Sequence, residues 1–125
     1  MDEQSIAGAY LRYHERKREE DRWAVDEIDA LVAGDPDTAW EVTRALLGQA
    51  RSDEELAYIA AGPLEDLLKT HGPRVIDRIE RECRNDERLQ LALSGVWVRP
   101  DDPVFGRWYA LMRQYGFAEG GRTAL

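Results

Sequence analysis

Apolar side chains recur every three or four residues along almost the whole chain, and this spacing limits the folds that the chain can adopt. Side chains at such intervals lie on one face of an α-helix, whereas a half-buried strand needs strict alternation. Long alternating runs do not occur, and neither does an Asn-Gly or Asp-Gly hairpin turn. One helical face is formed by Leu56, Ile59, Ala60, Leu64, Leu67 and Leu68. The pattern predicts an all-α protein.

Two local signals mark helix starts. Asp35 followed by Pro36 is typical of an N-cap and a first helical residue, because proline lacks the N–H that would have no partner there. Ser52 and Glu55 have the spacing of a capping box, in which two side chains satisfy two free backbone N–H groups. Helices are therefore expected to start after each signal.

Proline and glycine also indicate where helices bend or end. Pro63 cannot donate a backbone hydrogen bond and restricts Gly62, so a kink is expected there. The His-Gly-Pro sequence at 71–73 indicates a firmer break. We predict a single compact bundle of six or seven short helices over residues 1–125, one kinked at Gly62-Pro63, with a frayed tail over 116–125.

Composition narrows the class of protein. The 125 residues include 17 Lys and Arg against 25 Asp and Glu, for a net charge of -8, which disfavours nonspecific binding to nucleic acid. The one cysteine, Cys83, excludes an intramolecular disulfide. The first residues lack the features of a secretory signal, and no run approaches the roughly 18 apolar residues of a membrane span. We expect a cytoplasmic monomer or homodimer without membrane contact, metal or cofactor.

The negative charge is unevenly distributed. The net charge is -4 over residues 1–34, -6 over 35–66 and +2 over 67–125. Such asymmetry favours association with a partner of opposite charge, although solubility is an alternative explanation. We predict a small acidic interaction protein that binds a basic protein partner, in its concrete form an immunity protein against a toxin. The expected partner-binding residues are Asp35, Asp37, Glu41, Asp53, Glu54 and Glu55.

A segment over 54–98 carries a recognisable set of short motifs. They are Ala-Gly-Pro-Leu-Glu-Asp-Leu-Leu at 61–68, His71-Gly72, Ile76-Asp77, Ile79-Glu80 and Gly95-Val96-Trp97. With these motifs the segment resembles a family of small bacterial proteins defined by a domain of unknown function. The resemblance implies a bacterial, cytosolic, helical domain and no particular reaction.

The same segment contains an alternative functional site. Carboxylates and an imidazole can bind a metal ion or act as acid and base, and five such groups are Glu65, Asp66, His71, Asp77 and Glu80. The alternative function is therefore a metal-dependent or acid/base enzyme. A structural role explains the same residues, because acidic groups stabilise helix starts and Asp77 and Glu80 are spaced to pair with Arg81 and Arg84. The zinc motif H-E-x-x-H, the serine motif G-x-S-x-G and the phosphate-binding loop are absent.

Two further features have alternative interpretations. Arginines at 74, 78, 81, 84 and 88 resemble a nucleic-acid stripe, but interleaved acidic residues favour a salt-bridged surface, and no nucleic-acid partner is expected. Trp97 follows Gly95 in a non-helical run. Its ring is expected either to pack on Leu64 and Leu68 or to present an aromatic surface beside the acidic pair at 65–66.

Overall fold

The computed structural model describes residues 2–117, which form seven α-helices and no strand. The predicted all-α bundle is confirmed. A 3-10 turn at Glu19–Asp21 lies between the first two helices, and a π-helical turn at Ala60–Leu64 joins the fourth to the fifth. Of the predicted frayed tail, residues 118–125 lie outside the described residues. The helices are α1 Glu3–Arg16, α2 Trp23–Gly34, α3 Pro36–Gln49, α4 Asp53–Ile59, α5 Glu65–Cys83, α6 Glu87–Ser94 and α7 Phe105–Gln114.

Side-chain caps set the starts of four helices. In each, a side-chain oxygen accepts the N–H of the residue three positions later, a contact that contributes about 1 kcal/mol relative to alanine. The predicted capping box at α4 is present in a shifted form: Ser52 accepts the N–H of Glu55, and the Glu55 carboxylate accepts at 2.7 Å the N–H of Arg51, one residue before the cap. The four caps are Asp2, Asp35, Ser52 and Asp86.

Helix α3 lies at the centre of the bundle. It contacts α1, α2, α4 and α5, and its side chains Trp40 and Leu46 are fully buried. Its wide apolar stripe is buried on more than one side, since Ala39, Val42 and Leu47 are buried as well. The acidic residues at the start of α3 therefore lie on a helix that packs against four others.

The expected irregularity at Gly62-Pro63 takes the form of the π-helical turn. A Cβ on Gly62 would lie 2.9 Å from the Tyr10 hydroxyl, so glycine allows α1 to approach closely. The predicted break at 71–73 lies inside α5, where His71 has the non-helical angles φ -135° and ψ 27°. This bend divides α5 into a first segment, 65–70, and a second segment, 72–83.

The connection from α6 to α7 packs its valines inward. Val96, Val98 and Val104 are all buried. Val104 packs closely on Gly72: a Cβ added to Gly72 would lie 2.6 Å from Cγ1 of Val104. Helix α7 closes at Gly116, whose φ of 83° suits glycine, with the N–H of Phe117 donating to the carbonyl of Met112. No helix within residues 2–117 has both the length and the hydrophobicity needed to cross a membrane.

Candidate functional site

The predicted acidic residues on α3 are engaged within the protein. Asp35 caps the helix by accepting the N–H of Thr38. Asp37 accepts a hydrogen bond from Arg74 on the second segment of α5, with an Nη2–Oδ2 distance of 2.9 Å. Glu41 pairs with Arg78 of the same segment. These arginines compensate two of the six carboxylates that the sequence indicated as a docking surface, Asp37 and Glu41.

The predicted acidic residues on α4 are less uniform. Asp53 and Glu54 are exposed, whereas Glu55 is largely buried in the capping box. Glu54 lies 3.7 Å from Nε2 of His14, whose ring stacks on Tyr58. The structure thus leaves two of these three carboxylates on the exterior.

A second acidic region involves carboxylates of α2 and of the first segment of α5. Asp26 and Asp29 lie one turn apart on the exposed side of α2, and Asp66 is exposed at the start of α5. Together with Glu65 they form what we call the open acidic surface. None of these four carboxylates takes part in an ion pair within 4.0 Å in the part of the chain that the structure describes.

The pKa values of Asp37 and Asp66 move in opposite directions. The hydrogen bond from Arg74 lowers the pKa of Asp37. Partial burial raises the pKa of Asp66, and the negative charges of Asp29 and Glu65 raise it further against a small opposing effect of Lys69. Negative charge is therefore compensated at Asp37 and Glu41 of α3 and uncompensated by ion pairs at the open acidic surface.

The pKa of the Tyr10 hydroxyl responds to the charge of the open acidic surface. Burial is the main reason why the pKa of its hydroxyl is raised, with a further contribution from Tyr58. The charges of Asp29 and Asp66 both add to this effect. Two carboxylates that belong to different helices thus both contribute negative potential at one buried phenol.

The residues of the predicted enzyme site are divided between different partners. The Glu65 carboxylate accepts the backbone N–H of Trp97 at 2.8 Å. Asp77 and Glu80 both bind Arg107 of α7. The suggested helical pairing of these two residues with Arg81 and Arg84 is wrong, because Arg107 approaches from a neighbouring helix and takes both carboxylates.

His71 does not complete a catalytic group with them. Its Nε2 is buried without a hydrogen-bond partner among the described residues, at the bend of α5. No group of three His, Cys, Asp or Glu side chains among residues 2–117 is arranged to hold a metal ion. Cys83 is fully buried, and burial raises the pKa of its thiol to about 12, so the reactive thiolate is disfavoured.

Three of the five arginines in the predicted stripe have internal partners. Arg74 and Arg78 bind the α3 carboxylates. Arg88 donates to the carbonyls of Leu47, Gly48 and Ala50, which are free acceptors at the end of α3. These guanidinium groups join helices.

Trp97 is the most exposed large apolar side chain of the described residues, at 63%. This exposure does not fit the expected packing of the ring in the core. The backbone N–H of Trp97 donates to Glu65 of the acidic pair. Its ring belongs to an apolar groove of about 390 Å³ between the α6–α7 connection and α7. We call this the aromatic groove; its lining includes Trp97, Phe105, Trp108, Tyr109, Met112 and Phe117.

Sequence reasoning assigned no role to Asp26, Asp29 or Arg107. For Asp29 a signal existed, because no basic residue stands three or four positions away to pair with it on α2. For Arg107 no local signal existed, since its carboxylate partners lie 27 and 30 residues earlier.

Comparison with known proteins places the chain without assigning an activity. A model described as a family of unknown function (DUF6869) matches residues 12–115. No curated protein and no solved structure shows significant similarity to the chain. The match extends well beyond the 54–98 segment and includes α3, the open acidic surface and Trp97. The chain therefore belongs to this family of unknown function, DUF6869.

Proposed function

We propose that this protein acts in the bacterial cytoplasm by binding a basic protein partner, and that the open acidic surface is its principal docking region. Masking a basic enzyme in this way is the action of an immunity protein, which is the concrete form of the proposal. The observation that carries it is that Asp26, Asp29 and Asp66 form no ion pair within 4.0 Å in the described structure, whereas Asp37 and Glu41 on α3 each pair with an arginine of α5.

The physical basis is the cost of concentrating like charge. Carboxylates that face one another raise the free energy of the unbound protein, and a cation brought to them by a partner relieves this repulsion. Carboxylates already bound to arginine contribute less binding free energy to a complex, because a partner would have to displace Arg74 from Asp37 or Arg78 from Glu41. A basic partner therefore gains more binding free energy at the open acidic surface than at the paired carboxylates of α3.

The exposed carboxylates of α4 fit the same proposal. Asp53 and Glu54 stay on the exterior and extend the negative potential that steers a basic partner toward the molecule. Long-range attraction of this kind increases the association rate and weakens as salt is added, because the screening length is about 8 Å at physiological ionic strength. Salt dependence is accordingly part of the test.

Two variants of equal net charge test the proposal. In the open-surface variant, Asp26, Asp29 and Asp66 are changed to asparagine; Glu65 is kept because it holds Trp97. In the α3 variant, Asp35 and Asp37 become asparagine and Glu41 becomes glutamine. Each set removes three carboxylates and changes the formal net charge from -8 to -5. Asparagine also caps helices well, so the start of α3 is preserved.

The measurement is affinity capture of bacterial proteins at low and high salt by the wild type and both variants. The proposal expects one basic protein that the wild type and the α3 variant retain, that the open-surface variant loses, and that high salt weakens. When the captured basic protein is purified and mixed with the wild type, the wild type should inhibit any enzymatic activity of that basic protein. Equal retention by both variants, or no basic protein retained at all, contradicts the proposal.

A further inference from the structure

The segment around Trp97 holds its indole outside the core. Val96 and Val98, on either side, are only 4% and 7% exposed, so both neighbours are anchored inward. The N–H of Trp97 donates to Glu65, which fixes the backbone between them. Because the backbone is already ordered, a ligand that contacts this indole pays little further entropy for ordering it.

Three further rings of the aromatic groove are held by contacts within the protein. Trp108 donates its Nε1–H to the carbonyl of Leu93 at 3.0 Å, and Phe105 packs against both Trp108 and Tyr109 with centroid distances of 5.9 and 5.8 Å. The groove volume of about 390 Å³ lies in the range of small ligand sites. Tryptophan and tyrosine are enriched among the residues that dominate binding energy at protein interfaces.

Charge beside the groove indicates what occupies it. The Glu65 carboxylate that holds the Trp97 backbone belongs to the open acidic surface, and Asp66 and Asp29 continue that surface. An extended peptide advances at most about 3.3–3.6 Å per residue. A lysine or arginine within a few residues of an apolar anchor seated on Trp97 would therefore be able to reach Glu65 or Asp66.

We propose that the aromatic groove binds an extended segment of the basic partner, with one bulky apolar side chain against Trp97 and lysine or arginine beside it on the open acidic surface. This inference rests on the proposed function and adds which features of the partner are recognised: an apolar side chain flanked by cations. The groove supplies apolar contact area and the carboxylates select a cationic flank, so neither feature alone defines the ligand.

Synthetic peptides test this proposal without knowledge of the partner. One peptide carries leucine or phenylalanine between lysines, a second replaces that anchor with alanine, and a third replaces the lysines with glutamine. Their affinities are measured by calorimetry for the wild type, Trp97→Ala and the open-surface variant, with Trp23→Ala as a matched control at another partly exposed tryptophan. Thermal melting checks that each variant is folded.

The proposal expects the anchored basic peptide to bind most tightly, with a loss of at least about tenfold for Trp97→Ala, the scale of an interface hot spot. Trp23→Ala should change affinity less than twofold. Loss of the anchor or of the lysines should also weaken binding.

Other results separate this inference from the proposed function. Binding that depends on the lysines and on the open-surface variant but not on Trp97 overturns the groove and leaves the proposed function intact. Binding that depends on Trp97 and the anchor but not on charge overturns the proposed function and the cationic flank. Sedimentation that shows a dimer broken by Trp97→Ala overturns the inference by identifying a second copy as the occupant. Absence of peptide binding overturns it outright.

Discussion

The carboxylates of α3 and those of the open acidic surface are chemically alike but face different neighbours. Asp37 lies opposite Arg74, which is in the second segment of α5. Asp66 is in the first segment of the same helix, and the negative charge of Asp29 contributes to its raised pKa. One helix thus supplies cations to one acidic region and a further anion to the other. The availability of an acidic residue is decided by what packs across from it, and the local charge count does not reveal this.

The bend at His71 separates the two regions and gives the largest expected effect. Gly72→Ala places a Cβ 2.6 Å from Cγ1 of the buried Val104, and overpacking of this kind costs about 1–3 kcal/mol. Chemical denaturation should show this loss. Because the second segment must shift, NMR titration should also show the pKa of Asp37 moving toward its ordinary value while that of Asp66 changes little.

Gly106→Ala is the matched control for this substitution. Its Cβ would have no neighbour within 4 Å, and alanine is favoured over glycine in a helix by up to about 1 kcal/mol. The control should therefore be as stable as the wild type or more stable. Equal stability of Gly72→Ala and the wild type would contradict the close packing assigned to the bend.

Breaking the paired region directly gives a smaller effect. Glu41 accepts hydrogen bonds from Arg78 and Arg44, so Glu41→Gln weakens two contacts and should lower the unfolding free energy by roughly 0.5–1 kcal/mol. Denaturation in low salt measures this. The matched change Asp26→Asn removes a carboxylate without an ion pair and should cost less, at most a few tenths of a kcal/mol from its place in the first turn of α2. Similar losses for both variants would show that the two regions do not differ.

The smallest expected effect is the change in stability when a single carboxylate is neutralised, and it has opposite signs in the two regions. Burial and Asp29 raise the pKa of Asp66, so its ionisation opposes folding, and Asp66→Asn should raise stability near pH 7 by a few tenths of a kcal/mol. This gain should fade as the pH falls through the raised pKa and vanish below the ordinary value.

Asp37→Asn should show the reverse. The pKa of Asp37 is lowered in the folded protein by Arg74, so its ionised form contributes stability above the ordinary pKa. That contribution is lost as the pH falls through the lowered pKa, and the variant should be less stable than the wild type only above this range. Stability measured from pH 2 to 8 checks both variants. The same sign for the two would contradict the contrast between the regions.

Local sequence rules predicted the elements of this fold well. The Asp35-Pro36 start, the capping box at Ser52 and the central burial of α3 follow from hydrogen bonding and helical periodicity, which act over a few residues. The irregularity at Gly62-Pro63 follows from the missing N–H of proline. None of these features depends on a distant part of the chain.

The candidate site was harder to predict because its decisive contacts are distant in sequence. Asp37 and Arg74 are 37 residues apart, and Arg107 displaces the expected helical partners of Asp77 and Glu80. The exposure of Trp97 depends on two neighbouring valines that are held in the core. Charge asymmetry indicated an acidic interaction protein, but only tertiary packing distinguishes paired carboxylates from open ones.

The most direct test of this distinction is an NMR titration of the protein with a short lysine-rich peptide at low salt. We expect the signals of Asp26, Asp29 and Asp66 to shift first and to saturate together, while those of Asp37 and Glu41 stay almost unchanged. Added salt should reverse the shifts. Earlier or equal shifts at Asp37 and Glu41 would contradict the claim that the open acidic surface, and not α3, receives a basic partner.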